Sequence, residues 1–253
     1  MLWRYLVLGT VSLVVSALPA SVAPQRGGNP FGLGQRRTQF NNVPYDGRFT
    51  FVRVRYAGYA GWSFDYPDME HNLTVMLTEL TSIQPNPGSN ILTLDDPELL
   101  KYPVAYISEP GYWFPTDAEV EGLREYLAKG GFFIVDDFHF ENEWLVFQAA
   151  MRRVLPNGRI ERLELSHPIF HSFFDIKSLR VPYPGRLGEQ GLMGEFFGIH
   201  VDNDPSKPLA VVINYNMDIG DYMEWSATGL YSAAPTNEAY KFGINYIIYG
   251  LTH

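Results

Sequence analysis

The chain contains no cysteine. This absence excludes a disulfide framework, a lipid-bearing thiol and a catalytic thiol, so the fold has to be stabilised by its core alone. The sequence also lacks a P-loop, a glycine-rich dinucleotide motif and a serine within a G-x-S-x-G motif. It therefore predicts neither nucleotide binding through those motifs nor catalysis by a nucleophilic serine.

Basic residues are scarce. The 19 Lys and Arg residues are outnumbered by 28 Asp and Glu residues, which gives a formal net charge of −9. Binding to a nucleic acid requires a stripe of positive charge, and the part of the chain that is expected to fold has none. We therefore predict no nucleic-acid partner, and binding to an anionic membrane surface is disfavoured for the same reason.

The N-terminal residues have the pattern of an export signal. Arg4 precedes an apolar run from Leu6 to Leu18, and small residues continue to Ala23. This order is typical of a secretory signal peptide, and the run is shorter than the roughly 20 residues that a membrane-spanning helix needs. Because Pro24 disfavours cleavage after Ala23, an uncleaved N-terminal membrane anchor remains the alternative for residues 1–23. Both interpretations predict an exported protein, periplasmic or secreted.

The rest of the chain divides into a linker and one domain. Residues 24–47 are rich in Gly, Pro, Asn, Gln and Arg and have no hydrophobic period, which is typical of a flexible linker. The whole chain is 46% hydrophobic and 15% aromatic, as a globular protein is. We therefore predict a single folded domain over residues 48–253.

Strand and helix patterns alternate through this domain. Strands are predicted at 49–56, 91–94, 104–109 and 132–135, with helices between them and after them. The clearest helix begins at Thr116, which forms a capping box with Glu119, and ends before Gly130. The second half is predicted to contain strands at 159–165 and 209–215, a loop-rich stretch at 182–208 and a C-terminal helix. This alternation predicts an α/β fold with a mainly parallel sheet flanked by helices.

Acidic side chains follow two of the predicted parallel strands. Glu109 ends one strand, and Asp136 and Asp137 end another, with His139 just beyond. Ligands bind outside the carboxyl ends of such strands, so these four residues are candidates to hold a divalent metal ion. Alternatively, close carboxyl groups share a proton and act as an acid/base pair, with Asp137, His139 and Glu109 as the catalytic candidates. The strand period sends Asp136 and Asp137 to opposite sides, so only one of them need face a ligand. We expect Asp137 to face the cleft and Asp136 to be its structural partner.

A purely structural role for these acids remains open. Acids at strand-to-helix junctions often cap the next helix or accept hydrogen bonds from loop amides. Arg53 or Arg55, on the predicted first strand, would then neutralise Asp136 and Asp137.

Aromatic residues are concentrated in two loops at the same predicted edge. Trp62 and Asp65 lie in one loop, and Tyr112 and Trp113 lie in the other. Aromatic rings with polar groups line clefts that take sugar-like or peptide ligands. Together with the acids Asp136 and Asp137, these four residues predict a site for a small molecule, carbohydrate or peptide. The alternative is that the rings pack over the sheet as part of the core.

Histidines form a further cluster. His167 and His171 are four residues apart, a spacing that zinc sites use on helices, and His200 precedes Asp202. Pro168 lies between the first two and favours a turn over a helix. We therefore interpret these histidines as loop residues that bond to the backbone.

Five stretches together resemble the bacterial DUF4159 domain family. They are "WSFDYPDMEHNL", "GYWFPTDAEVEGLREYLAKGGFFIVDDFH", "HPIFHSFFDI", "INYNMDIGDYMEWS" and "AYKFGINYIIYGLT", which together extend over about residues 48–252. The family resembles the class I glutamine amidotransferase-like fold, including trehalose-utilisation (ThuA)-like domains, and this resemblance implies a flavodoxin-like sheet. The amidotransferase cysteine has no counterpart here, because Asp136, Asp137 and Phe138 follow the equivalent strand. Glutamine hydrolysis by a thiol is therefore not expected.

Three functions follow from these patterns. The first is an exported domain that binds a ligand at a carboxylate and aromatic site. The second is a metal-dependent hydrolase, and the third is a non-catalytic scaffold of an envelope complex.

Overall fold

The computed structural model describes residues 41–253. The predicted signal peptide or anchor, and the predicted linker up to residue 40, lie outside the described residues. Within residues 41–253, no helix has the length and apolar character needed to cross a membrane.

In the described residues, strands and helices alternate through the first half of the domain, with a short 3-10 helix at Pro97–Lys101 between the second and third strands. The strands are β1 (Phe51–Val54), β2 (Ser89–Leu92), β3 (Val104–Ser108), β4 (Phe132–Phe138), β5 (Glu161–Arg162), β6 (Glu195–His200) and β7 (Leu209–Tyr215). The α-helices are α1 (Asp68–Leu80), α2 (Asp117–Ala128), α3 (Phe140–Val154), α4 (Arg186–Glu189), α5 (Ile219–Glu224) and α6 (Ala233–Thr252).

All seven of these strands form one sheet. Their order is β2-β1-β3-β4-β7-β6-β5. The first five strands in this order are parallel, and β6 and β5 continue the sheet in antiparallel fashion. This arrangement confirms the predicted α/β fold with a flavodoxin-like, mainly parallel sheet.

The sheet is covered on both faces because its central strands are apolar on both sides. On β3, Val104 and Tyr106 belong to the core that packs against α1, α5 and α6, whereas Ala105 and Ile107 belong to the core under α2 and α3. Parallel strands that are buried on both faces read as continuous apolar runs, which is why 132–135 was recognisable as a strand. The helices therefore cover both faces of the sheet.

The predicted start of α2 is confirmed. The Thr116 hydroxyl accepts a hydrogen bond from the Glu119 N–H at 3.2 Å, and the Glu119 carboxylate accepts one from the Thr116 N–H at 2.8 Å. Gly130 follows the helix with φ +89°, a conformation that favours glycine.

Several element boundaries differ from the sequence prediction. The region 182–208 was predicted to be loop, but it contains β6, a strand with Gly198 near its middle. A Cβ at Gly198 would lie 2.6 Å from Leu209 Cδ2 and 3.2 Å from the Val211 carbonyl oxygen, so the glycine that weakens the strand signal leaves room for the Leu209 side chain. The predicted strand 159–165 is reduced to the two residues of β5, and β4 extends three residues beyond 135.

Candidate functional site

The end of β4 is distorted. Its pairing with β7 shifts register between Val135 and Phe138, and Asp137 has φ 60°. Such bulges re-aim side chains, and left-handed non-glycine residues are strained conformations that concentrate at functional sites. Glu109 after β3 and Asn216 after β7 also have positive φ, at 56° and 53°. Three adjacent strands therefore end in left-handed residues at the same edge of the sheet.

Asp136 is a fully buried acceptor for four donors. Its carboxylate accepts hydrogen bonds from the Tyr106 hydroxyl at 2.7 Å and the Asn214 amide at 2.9 Å. It also accepts from the backbone N–H groups of Ile219 at 2.9 Å and Gly220 at 3.2 Å. Burial raises the pKa of Asp136 to about 6, although these hydrogen bonds oppose the shift. Asp136 thus joins β3, β4 and β7 to the start of α5.

Asp137 faces a different set of groups. Its carboxylate accepts hydrogen bonds from the Ser108 hydroxyl at 3.1 Å and the Tyr183 hydroxyl at 3.2 Å. Only 7% of the residue is exposed. Burial, and then the negative charges of Glu109 and Asp65, raise the pKa of Asp137 well above its ordinary value. The chain therefore holds this carboxyl where ionisation is unfavourable.

Three aspartates meet at this edge. Asp65, Asp137 and Asp218 each contribute one carboxylate oxygen, and these oxygens all lie within 4.8 Å of one another. We call these residues the aspartate triad. They come from the loop after β1, from β4 and from the N-cap of α5, where Asp218 accepts from the Asp221 N–H at 2.7 Å. All three are buried, and burial together with the charge of Asp137 raises the pKa of Asp218 well above its ordinary value.

A second acidic group shares Asp65. Asp221 and Glu224, both on α5, place carboxylate oxygens within 4.8 Å of each other and of an Asp65 oxygen. Asp221 also accepts a hydrogen bond from the Tyr231 hydroxyl. Asp65 therefore belongs to both groups of ligand atoms.

The structure separates the four predicted metal candidates. Among residues 41–253, the two groups of three carboxylates include Asp137 but not Glu109, Asp136 or His139. Glu109 acts on Asp137 through its charge, and its backbone carbonyl accepts from a tyrosine hydroxyl. The His139 ring packs 5.1 Å from that of Tyr183, centroid to centroid. Asp136 lies beside the triad, but its carboxylate accepts the four hydrogen bonds described above.

Arg53 does not form a hydrogen bond with Asp136 or Asp137. It is fully buried, its Nε donates to the Glu70 carboxylate at 2.6 Å, and its Nη1 donates to the Trp62 carbonyl at 3.0 Å. Because Glu70 on α1 is its partner, Arg53 is not the cation that neutralises Asp136 or Asp137.

The predicted aromatic candidates have different exposures. Trp113 is fully buried in the core beside α2 and α3, and Trp62 is 7% exposed. Tyr112 is 39% exposed and stacks on Tyr59 with 4.2 Å between ring centroids. Of the two tryptophans and Tyr112, Tyr112 is therefore the residue that presents its ring to solvent.

The histidine cluster lies elsewhere. His167 precedes a short 3-10 turn at Pro168–His171, as Pro168 predicts, and its ring accepts from the Ile169 N–H at 3.2 Å. The His171 ring contacts the Leu165 carbonyl at 2.7 Å, and the His200 ring contacts a backbone carbonyl at 2.8 Å. The structure confirms that these histidines bond to the backbone.

Sequence reasoning missed Asp218, Asp221, Glu224 and Tyr183. Asp218 was recoverable, because it follows the buried strand "LAVVINY" just as Asp137 follows "FFIV". The acidic positions of α5 depend on a helix too short to show a period, and Tyr183 comes from an irregular loop.

A comparison with known families identifies the chain. Residues 50–251 match the model of DUF4159, described as a domain of unknown function. The match spans most of the chain, which therefore belongs to this family. No curated protein matches it. The resemblance of the family to amidotransferase-like proteins stays a prediction.

Proposed function

We propose that this DUF4159 domain binds a divalent cation at the aspartate triad. The observation that carries the proposal is the convergence of three buried carboxylates from separate elements, with ligand oxygens within 4.8 Å of one another. Hard cations such as Mg²⁺, Ca²⁺ and Mn²⁺ prefer carboxylate oxygens. This site replaces the predicted set of Glu109, Asp136, Asp137 and His139 with a set that shares only Asp137.

The space beside the triad supports this proposal. A Cβ on Gly220 would lie 3.0 Å from an Asp65 carboxylate oxygen, 3.4 Å from one of Asp218 and 2.9 Å from the Tyr106 hydroxyl. The contacts with Tyr106 and Asp65 would be tighter than a Cβ normally makes, so glycine is what allows these oxygens to lie so close to the start of α5. The glycine thus keeps a methyl group away from the point where oxygen ligands converge.

The electrostatics of the triad support it as well. Burial and mutual repulsion raise the pKa values of Asp137 and Asp218, so ionising both is costly without a compensating positive charge. A divalent cation supplies that charge and displaces the protons. A cation at the carboxyl edge of the sheet would also polarise an oxygen atom of a bound ligand. Metal-dependent hydrolysis is therefore compatible with this proposal.

A second candidate function uses the same residues without a metal. The Asp218 carboxyl lies within hydrogen-bonding reach of the Asp137 carboxyl, and both groups have raised pKa values. Two such carboxyls sharing one proton form an acid/base pair. The two candidates differ in whether a cation binds.

Cation titration separates the two candidates. Protein freed of metal with EDTA is expected to bind one Mg²⁺, Mn²⁺ or Ca²⁺ per chain in calorimetry. A ligand at a hundred times its Kd stabilises the folded state by about 2.7 kcal/mol, roughly 5–11 °C in Tm for a domain of this size. Binding should weaken from neutral to mildly acidic pH, because protons compete for Asp137 and Asp218.

The control for this titration is Asp117→Asn. Asp117 is an almost fully exposed acid at the start of α2, bonded to Arg153 and not a member of the triad. This variant should keep the cation-dependent shift. If the wild-type protein shows no stoichiometric cation and no change in Tm with any of the three ions, the metal proposal is wrong and the proton-sharing pair remains.

A substitution at Gly220 changes the space beside the triad oxygens without changing any charge. Gly220→Ala puts a methyl group among the Asp65, Asp218 and Tyr106 oxygens, so cation affinity is expected to fall at least about tenfold, or about 1.4 kcal/mol. Calorimetric titration with the best cation measures this loss. Circular dichroism and Tm of the metal-free variant show whether the fold persists. A folded variant with unchanged cation affinity would place the cation elsewhere.

A further inference from the structure

An aromatic surface lies at the same edge of the sheet as the triad. Tyr59 and Tyr112 stack with centroids 4.2 Å apart and ring planes at 28°. Phe64 contacts the edge of Tyr59, with 6.0 Å between centroids, and is 55% exposed. These residues follow β1 and β3, whose carboxyl ends are adjacent. We call Tyr59, Phe64 and Tyr112 the aromatic rim.

Acidic side chains border the aromatic rim. The Tyr112 hydroxyl lies 3.4 Å from a Glu143 carboxylate oxygen, and the other Glu143 oxygen accepts from the His139 N–H at 2.7 Å. A Cβ on Gly111 would be 2.5 Å from Glu143 Cβ, so this glycine allows the turn that carries Tyr112 to lie against Glu143. Glu109, half-buried at the end of β3, lies three residues before Tyr112.

The strongest charge effects on Tyr59 and Tyr112 are negative. Burial raises the pKa values of Tyr59 and Tyr112, and the charges that add to the effect come from Glu109, Glu143 and Asp137. The largest charge effects on these two hydroxyls come from carboxylates. The rim therefore combines electron-rich ring faces with a negative potential.

We propose that the aromatic rim binds an organic cation, a primary or quaternary ammonium group, against the exposed part of the Tyr112 ring, with Glu109 and Glu143 as the opposing charges. A cation over an aromatic face is attracted by the ring quadrupole, and nearby carboxylates add to that attraction. An anionic ligand would be repelled by the same carboxylates. A neutral ligand would gain ring contacts but no charge interaction.

This inference is independent of the divalent-cation site. The rim residues are distinct from Asp65, Asp137 and Asp218, and the ligand is held by ring faces instead of metal coordination. All binding measurements are therefore made in EDTA, where the triad holds no divalent cation. If the protein binds no divalent cation, the ammonium proposal can still be correct. If it binds no ammonium ion, the result of the metal titration is unaffected.

The test compares choline with its neutral isostere 3,3-dimethylbutan-1-ol. Titration of the full chain, followed by NMR, is expected to show saturable choline binding that is at least about tenfold tighter than binding of the isostere. Equal affinity for the two probes would show that only apolar contact operates. No binding of choline at millimolar concentrations would also overturn the proposal.

Variants locate the choline site. Tyr112→Ala and Glu109→Gln are each expected to weaken choline binding by roughly three- to thirtyfold, because one removes the ring face and the other the charge. Tyr112→Phe keeps the ring and should retain binding. Tyr45→Ala is the matched control: Tyr45 is 48% exposed and packs edge-on against Tyr102. If choline binding is lost equally in the Tyr45 variant, or persists in Tyr112→Ala, the rim is not the site.

Discussion

Asp136→Ala is expected to lower the free energy of unfolding by about 3–5 kcal/mol. The carboxylate is the common acceptor for the Tyr106 hydroxyl, the Asn214 amide and two backbone N–H groups of α5. Alanine leaves these donors buried without an acceptor, and each buried donor without a partner costs about 1–3 kcal/mol before relaxation. The loss should therefore be far larger than for a surface acid.

Urea unfolding followed by circular dichroism measures this effect. Asp136→Asn keeps one carbonyl acceptor and is expected to be intermediate, which provides a measurement if the alanine variant does not fold. Asp117→Asn, at an exposed position, should stay within about 0.5 kcal/mol of wild type. An alanine variant with the wild-type midpoint would show that Asp136 does not anchor α5.

Burial of Asp136, Asp137 and Asp218 also sets the direction of the pH dependence. Asp136 titrates at about 6 in the folded chain, against about 3.9 in an unfolded chain. Because the folded state holds the proton more tightly, this group stabilises the fold below the unfolded pKa, and that contribution is lost as pH rises through about 6. Asp137 and Asp218 have raised pKa values and act in the same direction.

The fold was largely predictable from local patterns. The capping box of α2, the apolar run of β4 and the alternation of strands with helices each depend on neighbouring residues. The strand β6 was not predictable, because Gly198 weakens its signal and its burial depends on pairing with β7. Arg53 illustrates the same limit: its burial depends on Glu70 from α1.

The sequence predicted where the site lies but not which residues form it. The rule that ligands bind at the carboxyl ends of parallel strands indicated Asp137 and Glu109, and the loop after the first strand indicated Asp65. Which acids converge depends on the bulge in β4 and on the N-cap of α5, where Asp218 lies. Both features arise from tertiary contacts that local periodicity does not encode.

Asp137→Asn is expected to stabilise the metal-free protein while abolishing its response to divalent cations. The ionised form of Asp137 is disfavoured by burial and by the charges of Glu109 and Asp65, so a neutral amide at this position removes both the repulsion and the cost of burying a charge. The asparagine carbonyl can still accept from Ser108 or Tyr183. We expect a gain of about 1–2 kcal/mol, roughly 2–8 °C in Tm, and a loss of cation affinity of about a hundredfold or more.

Differential scanning calorimetry with and without the cation, at neutral and mildly acidic pH, measures both effects together. The gain should shrink at acidic pH, because wild-type Asp137 takes up a proton there and no longer repels its neighbours. Asp117→Asn should show neither the gain nor the loss of cation response. If Asp137→Asn is more stable but still responds to the cation, Asp137 is not a metal ligand. The gain would then come from relief of the repulsion between the Asp137 and Asp218 carboxyls. A variant that is less stable than wild type at neutral pH would show that the buried charge is already compensated within the fold.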